Sequence, residues 1–221
     1  MFQKVLIAED TDYMFSGIKI ALENFQIPQI EYAQYCDEAY LKIKKAWLNN
    51  NPFDLLISDL SFVGNHNPQH LTTGEELIKK AKDLQPELKT IVFSIEDKPY
   101  RIQYLCKELF VNAYVWKSIH GQKELERAIS SVYENGFFIT PKLAHFLRDI
   151  ETFEITNYDV SLLKYLADGL DQREISKELK EKKMKPSSIS SVEKRLKILK
   201  ENFNANNPTQ LIAITKDFGL I

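Results

Sequence analysis

Four short apolar runs, each closed by polar residues at its C-terminal end, constrain this chain more than any other feature. Val5-Leu6-Ile7-Ala8 runs into Glu9-Asp10, and the stretch Phe53 to Leu60 carries Asp59 directly after Leu55-Leu56-Ile57-Ser58. Thr90-Ile91-Val92-Phe93 ends in Ser94, and Ala113-Tyr114-Val115-Trp116 ends in Lys117. Near-continuous apolar runs of this length suit strands buried on both faces, as in a parallel sheet.

Amphipathic stretches separate these runs. Helices are expected at Asp12 to Phe25 with Asp12 as N-cap, and at Asp37 to Asn49 with Ala39 or Tyr40, Ile43 and Trp47 inward. Further helices are expected at Gly74 to Gln85, Pro99 to Phe110 and Gln122 to Asn135. Pro28, Pro52 and Pro86 punctuate the connections. A second strand, Ile30 to Tyr35, alternates more and belongs nearer an edge. Five strands alternating with five helices predict an α/β doubly wound, five-stranded parallel sheet with right-handed crossovers. In such a sheet the site lies beyond the C-terminal strand ends, where strand order reverses. All four polar strand ends fall on that edge.

After Gly136 the pattern changes. Phe137 to Thr140 is extended, and Pro141 to about Ile150 is helical. Thr152 to Thr156 is a linker. Helices are expected at Asn157 to Ala167, Gln172 to Leu179, Ser188 to Asn202 and Pro208 to Lys216. The 221 residues suffice for two small domains. The expected division is 1–136 for the sheet domain, 137–154 for a linker with a short helix, and 155–221 for an all-α domain. Net charge is only -2, but its distribution is informative. From Lys180 to Lys200 there are 8 basic and 2 acidic residues, placing a basic segment in the second half. Cys36 and Cys106 form no paired motif and read as small apolar residues, which suits a reducing cytoplasm. The apolar run at the N-terminus is too short for a secretory signal, and no run is long enough for a membrane span.

Phosphoryl transfer to a carboxylate needs a rigid oxygen nucleophile, a divalent cation, carboxylates to hold that cation, and a basic group for the remaining phosphoryl oxygens. Asp59 is the expected nucleophile. Glu9, Asp10, Asp59 and the backbone carbonyl at Ser61 are the expected Mg²⁺ ligands. Lys117 supplies the cation and Ser94 a hydroxyl. Each residue alone has a plainer explanation, since a carboxylate ending a strand is ordinarily a turn or cap. As a set, three clustered carboxylates would repel strongly unless a metal and a lysine stood beside them. His66 and His70, in the long loop after Asp59, read as solvated loop residues rather than a metal pair.

Glu9-Asp10, Asp59, Ser94, Tyr114 and Lys117 together resemble the receiver domain of bacterial two-component response regulators, over about residues 1–125. The resemblance implies a flavodoxin-like fold and a phosphoryl group accepted by Asp59 from a phosphohistidine on a sensor histidine kinase. It also implies a switch in which Ser94 moves toward the phosphate and Tyr114 swings inward. Two departures stand out. Ser118 replaces the proline usual after the lysine, so either a cis Lys117–Ser118 bond or an altered loop is expected. The loop after Asp59 is also longer than usual.

Residues 155–215 resemble the LuxR-type (NarL-type) helix-turn-helix domain. The resemblance rests on Ile155-Thr156, on Leu162 to Leu170, and on Arg173-Glu174-Ile175-Ser176-Lys177-Glu178-Leu179. It implies that the helix from Ser188 enters the major groove of double-stranded DNA. Ser187, Ser188, Ser190, Ser191, Lys194, Arg195 and Lys197 are then the expected DNA-contacting residues. It further implies a homodimer in the active state, with Leu211, Ile212 and Ile214 packing internally or against a second copy. The turn from Lys180 to Pro186 is longer than the family's, and Glu193 stands where a lysine is usual.

The expected function is therefore a cytoplasmic, phosphorylation-controlled transcription regulator rather than an enzyme. The rival expectation is an interaction module whose altered helix-turn-helix binds protein. An aspartate-nucleophile phosphatase is disfavoured, because Ser61 stands where such sites place a second acid.

Overall fold

A computed structural model describes residues 1–63, 69–147, 155–203 and 205–221. The chain divides into two compact units, residues 1–97 with 102–145 and residues 98–101 with 146–221.

The first unit is built on a parallel sheet of β1 (Lys4–Ala8), β2 (Gln29–Ala33), β3 (Leu55–Ser58), β4 (Lys89–Ser94), β5 (Ala113–Trp116) and β6 (Phe138–Ile139). The spatial order is β2-β1-β3-β4-β5-β6. The sheet thus has six strands rather than the expected five. The extended piece after Gly136 pairs Phe138 with Ala113 and Ile139 with Tyr114, and the Thr140 N–H donates to the Tyr114 carbonyl at 3.0 Å. Two residues are too few for alternation to declare a strand in advance. β2 is an edge, which accounts for its partly exposed residues.

The helices are α1 (Asp12–Glu23), α2 (Cys36–Leu48), α3 (Gly74–Leu84), α4 (Pro99–Lys107) and α5 (Gly121–Tyr133). Because neighbouring strand residues point to opposite faces, Val5, Ile7, Leu55, Ile57, Ile91, Phe93, Ala113 and Val115 form one core layer. Ile18 and Leu22 of α1 and Leu125, Ile129 and Val132 of α5 close it. Leu6, Leu56, Val92 and Tyr114 are fully buried on the other face.

Two local expectations are corrected. Asp12 is the first helical residue and not the N-cap; Thr11 holds that position, with no side-chain cap hydrogen bond. In α2 the buried stripe is Cys36, Ala39, Ile43 and Ala46, and Trp47 is 41% exposed. The inward face lies one residue earlier than the bulk of the tryptophan suggests.

A 3-10 helix (Pro141–Leu147) follows β6. The remainder of the expected helix, His66, and most of the expected linker lie outside the described residues. The second unit contains α6 (Asn157–Ala167), α7 (Gln172–Glu181), α8 (Ile189–Asn202) and α9 (Pro208–Asp217). Three of these helices have side-chain caps supplied by Thr156, Asp171 and Ser188, and Asn207 caps the fourth with Pro208 at its first turn. Leu162, Leu163, Ile175, Leu179, Val192, Leu196, Leu199 and Leu211 form its core. No described helix is long and apolar enough to cross a membrane.

Candidate functional site

Sheet register assembles the site. Ala8 pairs with Ser58, and the Asp59 N–H donates to the Ala8 carbonyl at 3.0 Å. The residues that follow the two strands, Glu9 and Asp59, therefore emerge side by side where strand order reverses between β1 and β3. One ligand oxygen from each of Glu9, Asp10 and Asp59 lies within 4.8 Å of the others. At the β4–β5 end, Ser94 pairs with Trp116, and the Lys117 N–H donates to the Ser94 carbonyl at 2.8 Å. This sends the Lys117 side chain into the acids. Its Nζ lies 2.6 Å from Asp59 Oδ2 and 2.8 Å from Glu9 Oε2.

The site is largely buried and acidic. The side chains of Glu9, Lys117 and Asp59 are 1%, 5% and 9% exposed. Burial pushes the Glu9 carboxyl up against the lowering pull of Lys117. Neighbouring groups register the same field. Burial, and then the surrounding carboxylates, push the Tyr32 hydroxyl and the Cys36 thiol each up to about 12. Cys36 is consequently an inert buried thiol, as expected.

Backbone donors hold the carboxylates. Asp59 Oδ1 accepts from the Leu60 N–H at 2.6 Å. Asp10 Oδ2 accepts from the Val63 N–H at 2.6 Å, and Glu9 Oε1 from the Thr11 N–H at 3.3 Å. The loop after Asp59 is pinched at its base, where Ser61 bridges Thr73 and the Gly74 N–H donates to the Leu60 carbonyl at 3.0 Å. Thr73 and Glu76 then form a reciprocal capping box that starts α3. At Gly74 a Cβ would sit 1.9 Å from the Asp59 carbonyl oxygen, so a glycine is required beneath Asp59. His70 donates its backbone N–H to Asp37 Oδ2 at 2.7 Å. Neither it nor any other described histidine joins the acid cluster.

Ser94 is fully buried, and its Oγ accepts from the Glu96 N–H at 3.4 Å. Tyr114 is already inward in this structure, fully buried, with its hydroxyl donating to the Glu96 carbonyl at 2.8 Å. Lys117–Ser118 is not cis, so of the two expected outcomes the loop differs: Ser118 accepts from Gly121 N–H at 2.9 Å and its Oγ from His120 N–H at 3.2 Å. Sequence reasoning passed over Trp116 beside Lys117. Its Nε1 donates to the Ile95 carbonyl at 3.1 Å, its backbone N–H to Thr140 Oγ1 at 3.0 Å, and Lys142 lies 4.0 Å above its ring.

In the second unit, Ser188 caps α8 by accepting from Ser191 N–H at 3.2 Å, and its hydroxyl meets those of Ser190 and Ser191. Ser187 gives its carbonyl to Ser176 Oγ at 2.7 Å. Lys194 is exposed; so is Lys197, 3.8 Å from Glu201. Arg195 is the exception in the expected DNA-contacting set. Its Nε and Nη2 reach the two oxygens of fully buried Asp159 at 2.6 and 2.7 Å. That fork ties Arg195, whose side chain is 27% exposed, to the interior of its own unit, an internal role that the expectation of a DNA contact did not include.

No protein-family model matches the chain, and no curated protein matches it. Among solved structures it resembles the RcsB response regulator of Salmonella typhimurium, at 22% identity and a TM-score of 0.67, over 97% of this chain and 99% of that one. A second RcsB structure, in complex with DNA, gives 21% and 0.66 over 97% and 98%. The isolated REC domain of RcsB from Salmonella enterica serovar Typhimurium, with the phosphomimetic BeF3-, gives 23% and 0.51 over 66% and 98%. The fold is therefore that of a two-domain response regulator: a receiver-like α/β unit followed by a helical helix-turn-helix unit.

Proposed function

We propose that this chain is a phosphorylation-controlled DNA-binding regulator. The observation that carries the reading is the uneven charge at the strand edge, where Lys117 bridges two of three clustered carboxylates. All donors are oxygens, and the set is net negative, which fits a small hard cation that keeps several waters. Glu9, Asp10, Asp59 and the Ser61 carbonyl would hold Mg²⁺, which when bound offsets charge on the phosphoryl group. Asp59 offers an oxygen to the phosphorus of a phosphohistidine on a sensor histidine kinase. The P–O bond forms as the P–N bond breaks, and Lys117 moves its proton-bearing nitrogen from the Asp59 carboxylate to a phosphoryl oxygen. Ser94 donates its hydroxyl to another. Tyr114 and Trp116, both tied to the segment after β4, report the rearrangement.

The DNA-contacting set is Ser187, Ser188, Ser190, Ser191, Lys194 and Lys197 at the start and outer face of α8. Solved RcsB structures with this fold include dimers on DNA and complexes with promoter DNA, which supports duplex DNA as partner and a dimer as the active form. Domain limits of 1–136 and 155–221, joined by 137–154, are part of the same reading. So are a cytoplasmic location and the absence of turnover chemistry beyond slow self-dephosphorylation.

Incubation with a small phosphodonor and Mg²⁺ should add one phosphoryl group, read as a mass increment on the intact protein. Asp59→Asn should abolish it. Labelling that persists in the variant overturns the assignment.

A further inference from the structure

We infer that the turn between α7 and α8 is itself a phosphate-backbone contact, in which Lys180, Lys183 and Lys185 grip DNA flanking the segment met by α8. The inference rests on the DNA-binding reading and adds a site to it.

Three observations carry it. First, the turn is fixed rather than loose. Lys183 N–H donates to the Lys180 carbonyl at 3.1 Å and Met184 N–H to the Leu179 carbonyl at 2.8 Å, the two bonds of a Schellman motif. Met184 packs into the same core as Leu179. Tyr158 Oη donates to the Pro186 carbonyl at 2.6 Å, and Ser176 Oγ to the Ser187 carbonyl. The segment therefore runs as a held arc into the N-terminus of α8, at Ser188.

Second, a lysine occupies the motif's left-handed position. Lys183 has φ +55, the conformation in which helix ends favour glycine. A side chain retained there at the expense of backbone comfort points to a use for its charge.

Third, the charges are unspent. Lys180, Lys183 and Lys185 are exposed, and none has an acidic partner within salt-bridge distance among the described residues. The nearby acid Glu181 pairs with Lys177 at 4.0 Å. Lys182 differs, lying 5.0 Å above the Tyr165 ring, and is left out of the set. A fixed arc of unpaired ammonium groups beside a helix N-terminus matches the regular phosphates of a duplex. An ammonium acts there as a point charge without base preference.

The test measures binding of the full chain to a random-sequence DNA duplex as salt rises from about 50 to 200 mM, since each phosphate neutralised contributes about 0.9 to the slope of log K against log salt. Lys183→Gly should lower the slope by about 0.9 while leaving Tm unchanged or raised. Lys180→Gln/Lys183→Gly/Lys185→Gln should lower it by about 2.7. Lys194→Gln/Lys197→Gln reports on α8 independently. A wild-type slope that the triple variant retains overturns this inference alone. A wild type without salt-dependent binding overturns it together with the DNA-binding reading.

Discussion

Each unit pairs a cation with a buried carboxylate, and the two arrangements differ in stoichiometry. In the second unit one arginine meets one aspartate through both ends of its fork, and Asp159 also accepts from Thr156 N–H at 2.8 Å and Thr156 Oγ1 at 2.7 Å. Charge and lone pairs are balanced. In the first unit one lysine serves Asp59 and Glu9, with Asp10 beside them. That site holds more negative charge than its resident cation offsets. A balanced buried pair fixes geometry. An unbalanced one leaves negative charge that a second, exchangeable cation can offset.

The largest effects should come from breaking the balanced pair. Arg195→Ala leaves Asp159 buried and unpaired, and should destabilise the second unit by about 3–5 kcal/mol in denaturant unfolding. A double replacement, Asp159→Leu with Arg195→Met, should recover most of that loss. The pair also sets acid sensitivity. Burial pushes the Asp159 carboxyl up, but hydrogen bonds from Arg195 and Thr156 more than offset it and hold the group below its ordinary 3.8. The folded state thus binds the proton less readily than the unfolded state. Stability is fully present above 3.8 and falls as pH drops through the folded value. Asp159→Asn should flatten that acid limb; an unchanged limb refutes the role.

Lys117→Ala should come next, at about 3 kcal/mol without divalent cation, because it leaves Glu9 and Asp59 adjacent and unneutralised. Here Mg²⁺ should restore stability, by about 2.7 kcal/mol at a hundredfold excess over its dissociation constant. Arg195→Ala should show no such recovery. Equal rescue of both variants, or of neither, would erase the distinction between the two sites.

The difference between the units also decides what was legible in the sequence. The acid cluster was readable because Glu9-Asp10 and Asp59 directly follow two strands, and parallel register must bring strand ends together. α6 fell on its expected bounds, and β1 and β4 each begin one residue before the apolar run that announced them. The Asp159–Arg195 pair was missed because basic residues of α8 were grouped by charge rather than by helical phase. Phase carried the signal. Arg195 lies three residues after Val192 and four before Leu199, on the stripe that Val192, Leu196 and Leu199 bury. Thr156-x-x-Asp159 also has the spacing of a capping box. Gly74 was seen only as a helix start, since its closeness to Asp59 depends on tertiary backbone approach.

That approach gives a smaller, local test. Gly74→Ala places a methyl where the Asp59 carbonyl stands, so the backbone at Asp59 must shift. A loss of about 1–3 kcal/mol is expected in the first unit, accompanied by slower labelling from the small phosphodonor. Slower labelling at unchanged stability would still place Gly74 under the site. Unchanged stability and unchanged rate would mean that the contact yields freely.

The smallest effect should come from a substitution that would be severe in a balanced pair. Asp59→Asn removes one of three crowded charges and retains the shape of the side chain. It leaves Lys117 paired with Glu9, 2.8 Å away, so no buried cation is stranded. The stability change should lie within about 1 kcal/mol, with either sign, whereas the same replacement at Asp159 removes the buried acid that the Arg195 fork holds. Unfolding of Asp59→Asn beside Asp159→Asn, both without Mg²⁺, compares the two directly. If Asp59→Asn proves as damaging as Asp159→Asn, then Asp59 is held for stability, and the excess negative charge at the strand edge is not the signature of an exchangeable cation.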